Sequence, residues 1–264
     1  MNRLWCLFFS VAATLAVMFF YIGPSMGWWF PGAAASPLGQ QIDDLFYLIL
    51  AITGVTFIGV HLVLGYILWK FGEVPGKKAH YQHGSHVLEV VWSIVPAGIL
   101  LFIALYQMDV WAAYRMKSRF DQEALANPVA EVTARQFEWR IRYPAPGKVL
   151  QDTPQPDDLY TVNDLHTPAG KPVVIKLRSD DVLHSFFLPH LRVKQDAVPG
   201  LVIPVWFEAN EPKVYDLVCA ELCGWGHYKM RGQLTAQSQG DFDAYLQNLK
   251  LSQNEDGYRE AAAE

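Results

Sequence analysis

Residues 45–71 read LFYLILAITGVTFIGVHLVLGYILWKF, with no formal charge before Lys70. A bilayer core needs about 20 such residues at a rise of roughly 1.5 Å each, so this segment is a membrane span. Residues 87–108 (VLEVVWSIVPAGILLFIALYQM) make a second, with Trp92 near one end and Trp111 just past the other. Its one acid, Glu89, sits near the start. Pro96 should kink this helix, which a membrane tolerates when neighbouring groups satisfy the freed carbonyl. Charge follows the same division: residues 1–111 hold 4 Lys/Arg and 5 Asp/Glu, whereas residues 112–264 hold 17 and 21. The second block is the size of one ordinary soluble domain. This split excludes a simple cytosolic enzyme and a disordered chain, and a formal charge of −5 leaves no basic face for nucleic acid. Three cysteines are too few for a disulfide framework.

The loop between the spans, residues 72–86, carries Lys77 and Lys78, with Lys70 at its edge and only Glu73 opposing. The positive-inside rule places it in the cytoplasm, so the soluble block is expected in the periplasm or its equivalent. Residues 4–22 are a third apolar stretch, either a signal peptide cleaved near Ser25-Met26-Gly27 or a retained helix with Trp28 and Trp29 at the membrane interface. Both readings leave the downstream topology unchanged.

After Asn127-Pro128 the chain turns to short β-rich runs, at 129–143, 173–177, 183–188, 202–208, 214–219 and 232–236. That spacing predicts a β-sandwich or barrel. Residues 144–172, rich in Pro, Gly and Asp, read as a long surface loop. Residues 241–249 read as a closing helix and 253–264 as a frayed polar tail.

The chemistry concentrates in Cys219-Ala-Glu-Leu-Cys223-Gly-Trp-Gly-His227-Tyr-Lys-Met230. Cys223, His227 and Met230, joined by the remote His184, form the ligand inventory of a cupredoxin: thiolate, two imidazoles and a weak thioether, a soft set suited to copper and electron transfer. Cys219 is one thiol too many for a single copper, and two bridging thiolates with one imidazole for each metal fit a copper pair. The Glu221 carbonyl is placed to be the last weak ligand. A Cys219–Cys223 disulfide and a closed Cys₂His₂ zinc site are the competing readings, the second leaving Met230 without a role.

These residues resemble subunit II of haem–copper cytochrome c oxidases, over roughly residues 38–250. The family pattern C-x-E-x-C-G-x-x-H-x-x-M is matched at Cys219, Glu221, Cys223, Gly224, His227 and Met230. Asp181-Val182-Leu183-His184-Ser185-Phe186, the turn Lys194–Gly200, and Leu88-Glu89-Val90-Val91-Trp92 with Pro96 match further signatures. The resemblance implies a membrane-anchored all-β chain: two or three transmembrane helices, then a cupredoxin-like Greek-key β-sandwich. Its expected divisions are an apolar segment at 1–30, a transmembrane hairpin at 31–111, the exported copper domain at 112–250 and a polar tail at 251–264. It implies a dinuclear copper centre (CuA) held by His184, Cys219, Cys223, His227 and Met230 and by the Glu221 carbonyl. The Glu221 carboxylate would face a Mg²⁺ shared with the catalytic subunit I, and Glu89 would stand at the mouth of that subunit's proton pathway. Cytochrome c would be the donor, other oxidase subunits the further partners, and oxygen reduction would take place in the catalytic subunit.

The chain departs from the family where Q-W-x-W becomes Gln136-Phe137-Glu138-Trp139, so that Phe137 stands where the family accepts its electron. Strand alternation across 135–139 would put Phe137 and Trp139 on one face, and Trp139 is expected to line the donor patch unless it is core. Asp152, Asp157, Asp158 and Asp164 are expected to steer a basic donor. His80, His83 and His86 read as solvated or facing another subunit, and His61 as packed against a partner helix. The rival readings are the same subunit in a nitric oxide reductase and an anchored, non-redox copper module. A quinol oxidase subunit is disfavoured by the thiol pair.

Overall fold

The computed structural model describes residues 2–78 and 80–255. In chain order it contains α1 (Asn2–Ser25), α2 (Pro37–Lys70), α3 (His86–Tyr106), α4 (Met108–Arg115) and α5 (Gln122–Ala126). The strands β1 (Ala130–Arg135), β2 (Glu138–Tyr143), β3 (Leu159–Val162), β4 (Asp164–Pro168), β5 (Val173–Ser179) and β6 (His184–Leu188) follow. They continue as β7 (Val193–Ala197), β8 (Ile203–Phe207), β9 (Lys213–Cys219) and β10 (Arg231–Gln237), and α6 (Gln239–Glu255) closes the described chain. Two compact units result: Met1–Phe30 with Asp43–Asp109, and Pro31–Ile42 with Val110–Glu264.

In the first unit, α2 and the helix that starts at His86 are long and apolar enough to cross a membrane. Their apolar windows are 6% and 0% buried, and helices that are apolar all round yet unburied call for lipid or another apolar chain. Ser85 caps α3, its Oγ accepting the Leu88 N–H at 3.4 Å, and Glu89 lies in the first turn, where the helix dipole favours an acid. α1 rests on α2 through small residues: a Cβ added to Gly65 would lie 3.6 Å from Ser10 Oγ. His61 is used in this packing, its ring 5.9 Å from Phe9 and its Nδ1 2.8 Å from the Phe57 carbonyl.

The second unit is a sandwich of two mixed sheets, ordered β3-β2-β1-β5-β8 and β4-β10-β9-β6-β7. β1 runs parallel to β5 and β4 parallel to β10, while the remaining pairs are antiparallel. Inward alternation on β2 sends Trp139, Ile141 and Tyr143 into a core shared with Leu177, Phe186, Phe207, Leu217 and Leu234. On the opposite face Arg142 is also buried, bonded to Glu131 at 3.2 Å and Asp158 at 2.6 Å, and it donates to the Gln151 carbonyl at 3.0 Å. This satisfied ion triad ties the loop after β2 to the sheet, and removing one member would strand buried charge.

Several sequence expectations are corrected here. The run 129–143 is two strands, β1 and β2, paired Arg135 to Glu138 with Gln136 and Phe137 between them. The loop expected at 144–172 contains β3 and β4, separated by Asn163 with a left-handed φ of 59°. β7 was hidden by its polar Lys194-Gln195-Asp196, which suits an edge strand bonded only to β6. α6 runs on to Glu255, so the expected tail is helical at its start, and 256–264 lie outside the described residues. Residues 31–42 group with the sandwich: Arg192 donates to the Gly32 carbonyl at 2.7 Å, Ala35 N–H to His190 at 2.8 Å, and Ser36 Oγ to Leu191 at 2.9 Å.

Candidate metal centre

β6 and β9 lie side by side, Phe186 opposite Cys219, which brings His184 at the start of one strand to Cys219 at the end of the other. From Cys219 the loop to Met230 returns on itself. Cys219 N–H donates to the Met230 carbonyl at 3.1 Å, Ala220 N–H to Ser185 at 3.0 Å, and His227 N–H to Gly224 at 3.1 Å. Gly224 has a φ of +134°, and a Cβ there would meet Gln136 Nε2 at 2.7 Å. Only glycine suits that conformation and that approach.

All six donors expected from the sequence converge. The Cys219 and Cys223 sulfurs stand 3.8 Å apart, with Cys219 Sγ 3.9 Å from His184 Nδ1 and 3.2 Å from the Glu221 carbonyl oxygen. Cys223 Sγ is 3.7 Å from His227 Nδ1 and 3.8 Å from Met230 Sδ. His184 is 0% exposed, Met230 1%, Cys223 4% and Cys219 8%, whereas Glu221 and His227 are half-buried. Both thiols are free and 3.8 Å apart, so both sulfurs are open to a metal ion.

Electrostatics favours a cation here. Burial pushes the Cys219 thiol up, but its contacts with His184 and with the backbone at Glu221 and Ser185 outweigh this and bring it below the usual thiol range. Burial, followed by repulsion from Cys219, pushes the Cys223 thiol well above that range. One thiolate is therefore stabilised and the second opposed by the first, an opposition that positive metal charge removes. Sulfur, imidazole and a buried thioether around one point fit copper; zinc would leave the thioether unused.

A supporting network lies behind the ligands. Asp181 Oδ1 is 2.7 Å from His184 Nε2, which assigns the proton to Nε2 and turns Nδ1 toward the sulfurs. Asp181 Oδ2 accepts the Gln136 N–H at 2.8 Å, and Gln136 Nε2 donates to the Cys223 carbonyl at 2.5 Å. Asp181 and Gln136 were legible only as members of motifs, and the bond from Gln136 to Cys223, 87 residues on, left no signal in the sequence.

Trp139 requires a correction. It is 0% exposed, with its ring 6.4 Å from His184 and 5.7 Å from Phe186, and so lines no surface patch. Alternation fails across 135–139 because Phe137 sits in the turn rather than on a strand. Phe137 is half-buried beneath the loop from Cys219 to Met230, 5.6 Å from the exposed Trp225, a residue the sequence reading passed over. The four acids expected to steer a donor each have a neighbour within the chain: Asp152 lies by Lys176, Asp157 by Lys148, Asp158 by Arg142 and Asp164 by His166. Glu89 lies far in sequence from the candidate metal ligands, half-exposed on α3 and 3.8 Å from His86 Nδ1.

Two family models match the chain: the transmembrane domain of cytochrome c oxidase subunit II over residues 24–110, and the periplasmic domain of the same subunit over 141–236. The chain is 33% identical to the alternative cytochrome c oxidase subunit 2 of Bradyrhizobium diazoefficiens, over 89% of this chain and 88% of that one. It is 30% identical to cytochrome c oxidase subunit 2 of Cereibacter sphaeroides, over 82% and 78%. A quinol oxidase subunit 2 from Bacillus spizizenii is 27% identical, over 83% and 65%.

Proposed function

The chain belongs to the cytochrome c oxidase subunit II family, and from that premise we propose that it is the subunit of a terminal oxidase that takes single electrons from cytochrome c and passes them to haem in catalytic subunit I. The observation that carries this reading is the convergence of two thiols, two imidazoles, a thioether and a carbonyl within 3.9 Å contacts at one buried point. His184, Cys219, Glu221, Cys223, His227 and Met230 would hold the copper pair. Bound copper supplies a one-electron couple. The chain's own contribution is a rigid, largely dry cradle, in which Asp181 orients His184 and Gln136 fixes the Cys223 peptide.

Overall similarity extends to a relative named a quinol oxidase subunit, so the donor is argued from the site. A quinol-fed subunit has no use for a buried thiol pair. The lysines at 70, 77 and 78 would face the cytoplasm and the sandwich the periplasm of a bacterial inner membrane. The packing of α1 on α2 supports retention of the N-terminal helix. The test is purification of the complex through this chain. Copper spectra should show one unpaired electron shared by two copper nuclei, and oxygen uptake should be driven by reduced cytochrome c. Labile mononuclear copper, oxygen uptake from quinol alone, or reduction of nitric oxide in place of oxygen would each overturn the proposal.

Two carboxylates carry separate proposals. Glu89 would open a proton route into subunit I, and the Glu221 side chain would hold Mg²⁺ at the boundary with that subunit. Glu89→Gln should slow turnover with copper spectra unchanged, and Glu221→Gln should release Mg²⁺ while copper stays, since the copper ligand there is the carbonyl. Wild-type turnover at all pH values, or wild-type Mg²⁺ content, reduces the respective acid to a surface role.

A further inference from the structure

We propose that Trp225 is the residue through which the electron donor reaches the buried metal site, with Phe137 as its platform. This rests on the electron-accepting role assigned above and names the contact point. The sulfurs and His184 are shielded from solvent, at no more than 8% exposure, so an electron must cross a layer of protein. Among the described aromatic residues around the ligands, Trp139 cannot meet a donor because it is 0% exposed. Trp225 is 79% exposed, and it lies on the ligand loop itself, two residues after Cys223 and two before His227. Its indole is conjugated, and its backbone runs directly to both ligands.

The loop is shaped to keep it there. Phe137 packs edge-on to Trp225 with ring centroids 5.6 Å apart, and it fills the space over Gly226, where an added Cβ would lie 2.5 Å from the Phe137 ring. Lys229 Nζ lies 5.5 Å from the centroids of both Trp225 and Tyr228, a contact that steadies exposed rings. Leu222 and Tyr228, 78% and 71% exposed, flank the indole on the same loop. Large apolar groups clustered in water mark a contact surface, and Trp and Tyr are the residues that anchor such contacts. Its occupant is a small haem protein with an exposed haem edge, because this patch is continuous with the loop that binds the metal. The ferrous haem loses one electron and becomes ferric, the copper pair gains it, and no bond forms and no proton moves.

The experiment uses the full chain in its purified complex, with Trp225→Leu and Trp225→Phe. Both should keep wild-type copper content and spectra. Reduction of the copper site by ferrous cytochrome c in stopped flow should fall by about tenfold or more in Trp225→Leu, as for the loss of a central aromatic anchor. Trp225→Phe should recover part of that rate, and reduction by hexaammineruthenium(II) should be unchanged. Independently of copper, hydroxyl-radical footprinting of the metal-free chain should show Trp225 protected by added ferric cytochrome c. A wild-type rate in Trp225→Leu with normal copper, or an unprotected Trp225, overturns the role of Trp225 and leaves the subunit's function standing. A wild-type chain reduced by the ruthenium complex but not by cytochrome c overturns the function itself, and this proposal with it.

Discussion

Cys219→Ser should abolish the expected paired-copper signal and leave at most a single ion at the site. Cys219 Sγ has three of the other candidate donors around it: His184 Nδ1 at 3.9 Å, Cys223 Sγ at 3.8 Å and the Glu221 carbonyl at 3.2 Å. A serine hydroxyl is a harder donor that stays protonated at neutral pH, so it cannot bridge two soft metals. The change nearly conserves volume, and β9 keeps its pairing through backbone groups. Folding should therefore survive while the metal chemistry fails. Paramagnetic resonance on the copper-loaded full chain, read with a copper-to-protein ratio, checks this. A signal still shared by two nuclei would mean that Cys219 is no bridge. Retained zinc with no affinity for copper in the wild-type chain would revive the zinc reading.

The same residue shows why much of the site was legible before the fold. Four of the proposed side-chain ligands lie within twelve residues, and their convergence depends on spacing along a single loop, which sequence records. His184 was reachable because a motif surrounds it. The spans were legible for a simpler reason: lipid demands an unbroken apolar run of about 20 residues, which composition alone records. What stayed hidden depends on tertiary pairing. β3 and β4 are short and set among Pro, Gly and Asp, so only their partners β2 and β10 make them strands. Trp139 was misplaced because alternation was carried through a turn, and one residue of slip moves a side chain from one face of a sheet to the other. Trp225 was passed over because a residue between ligands reads as spacer until its exposure is seen.

Asp181→Ala should weaken copper binding by about 10–100-fold, the range for loss of a group that orients a metal-binding histidine. The carboxylate makes three bonds at once, to His184 Nε2 at 2.7 Å, from Gln136 N–H at 2.8 Å and from Val182 N–H at 2.6 Å. Without it the His184 tautomer is no longer set, and Gln136, which holds the Cys223 carbonyl, loses its own anchor. Both halves of the metal cradle therefore loosen through one substitution. Burial pushes the Asp181 carboxyl up, but the hydrogen bonds from Gln136, His184 and Val182 hold it below the ordinary value. A depressed folded-state value means that the ionised form and its bonds are fully in place above about pH 4 and are lost only as the pH falls through that lower value. Copper retention at neutral pH should accordingly be insensitive to small pH changes in the wild type. Competition against a chelator measures the affinity, and thermal unfolding of the metal-free chain separates it from damage to the fold. The neighbouring Asp180, in an exposed 3.9 Å pair with Arg178, supplies the control: Asp180→Ala should leave copper affinity within about twofold, as expected for a solvent-screened pair. Equal affinities for Asp181→Ala and the wild type would show that β6 packing alone orients His184.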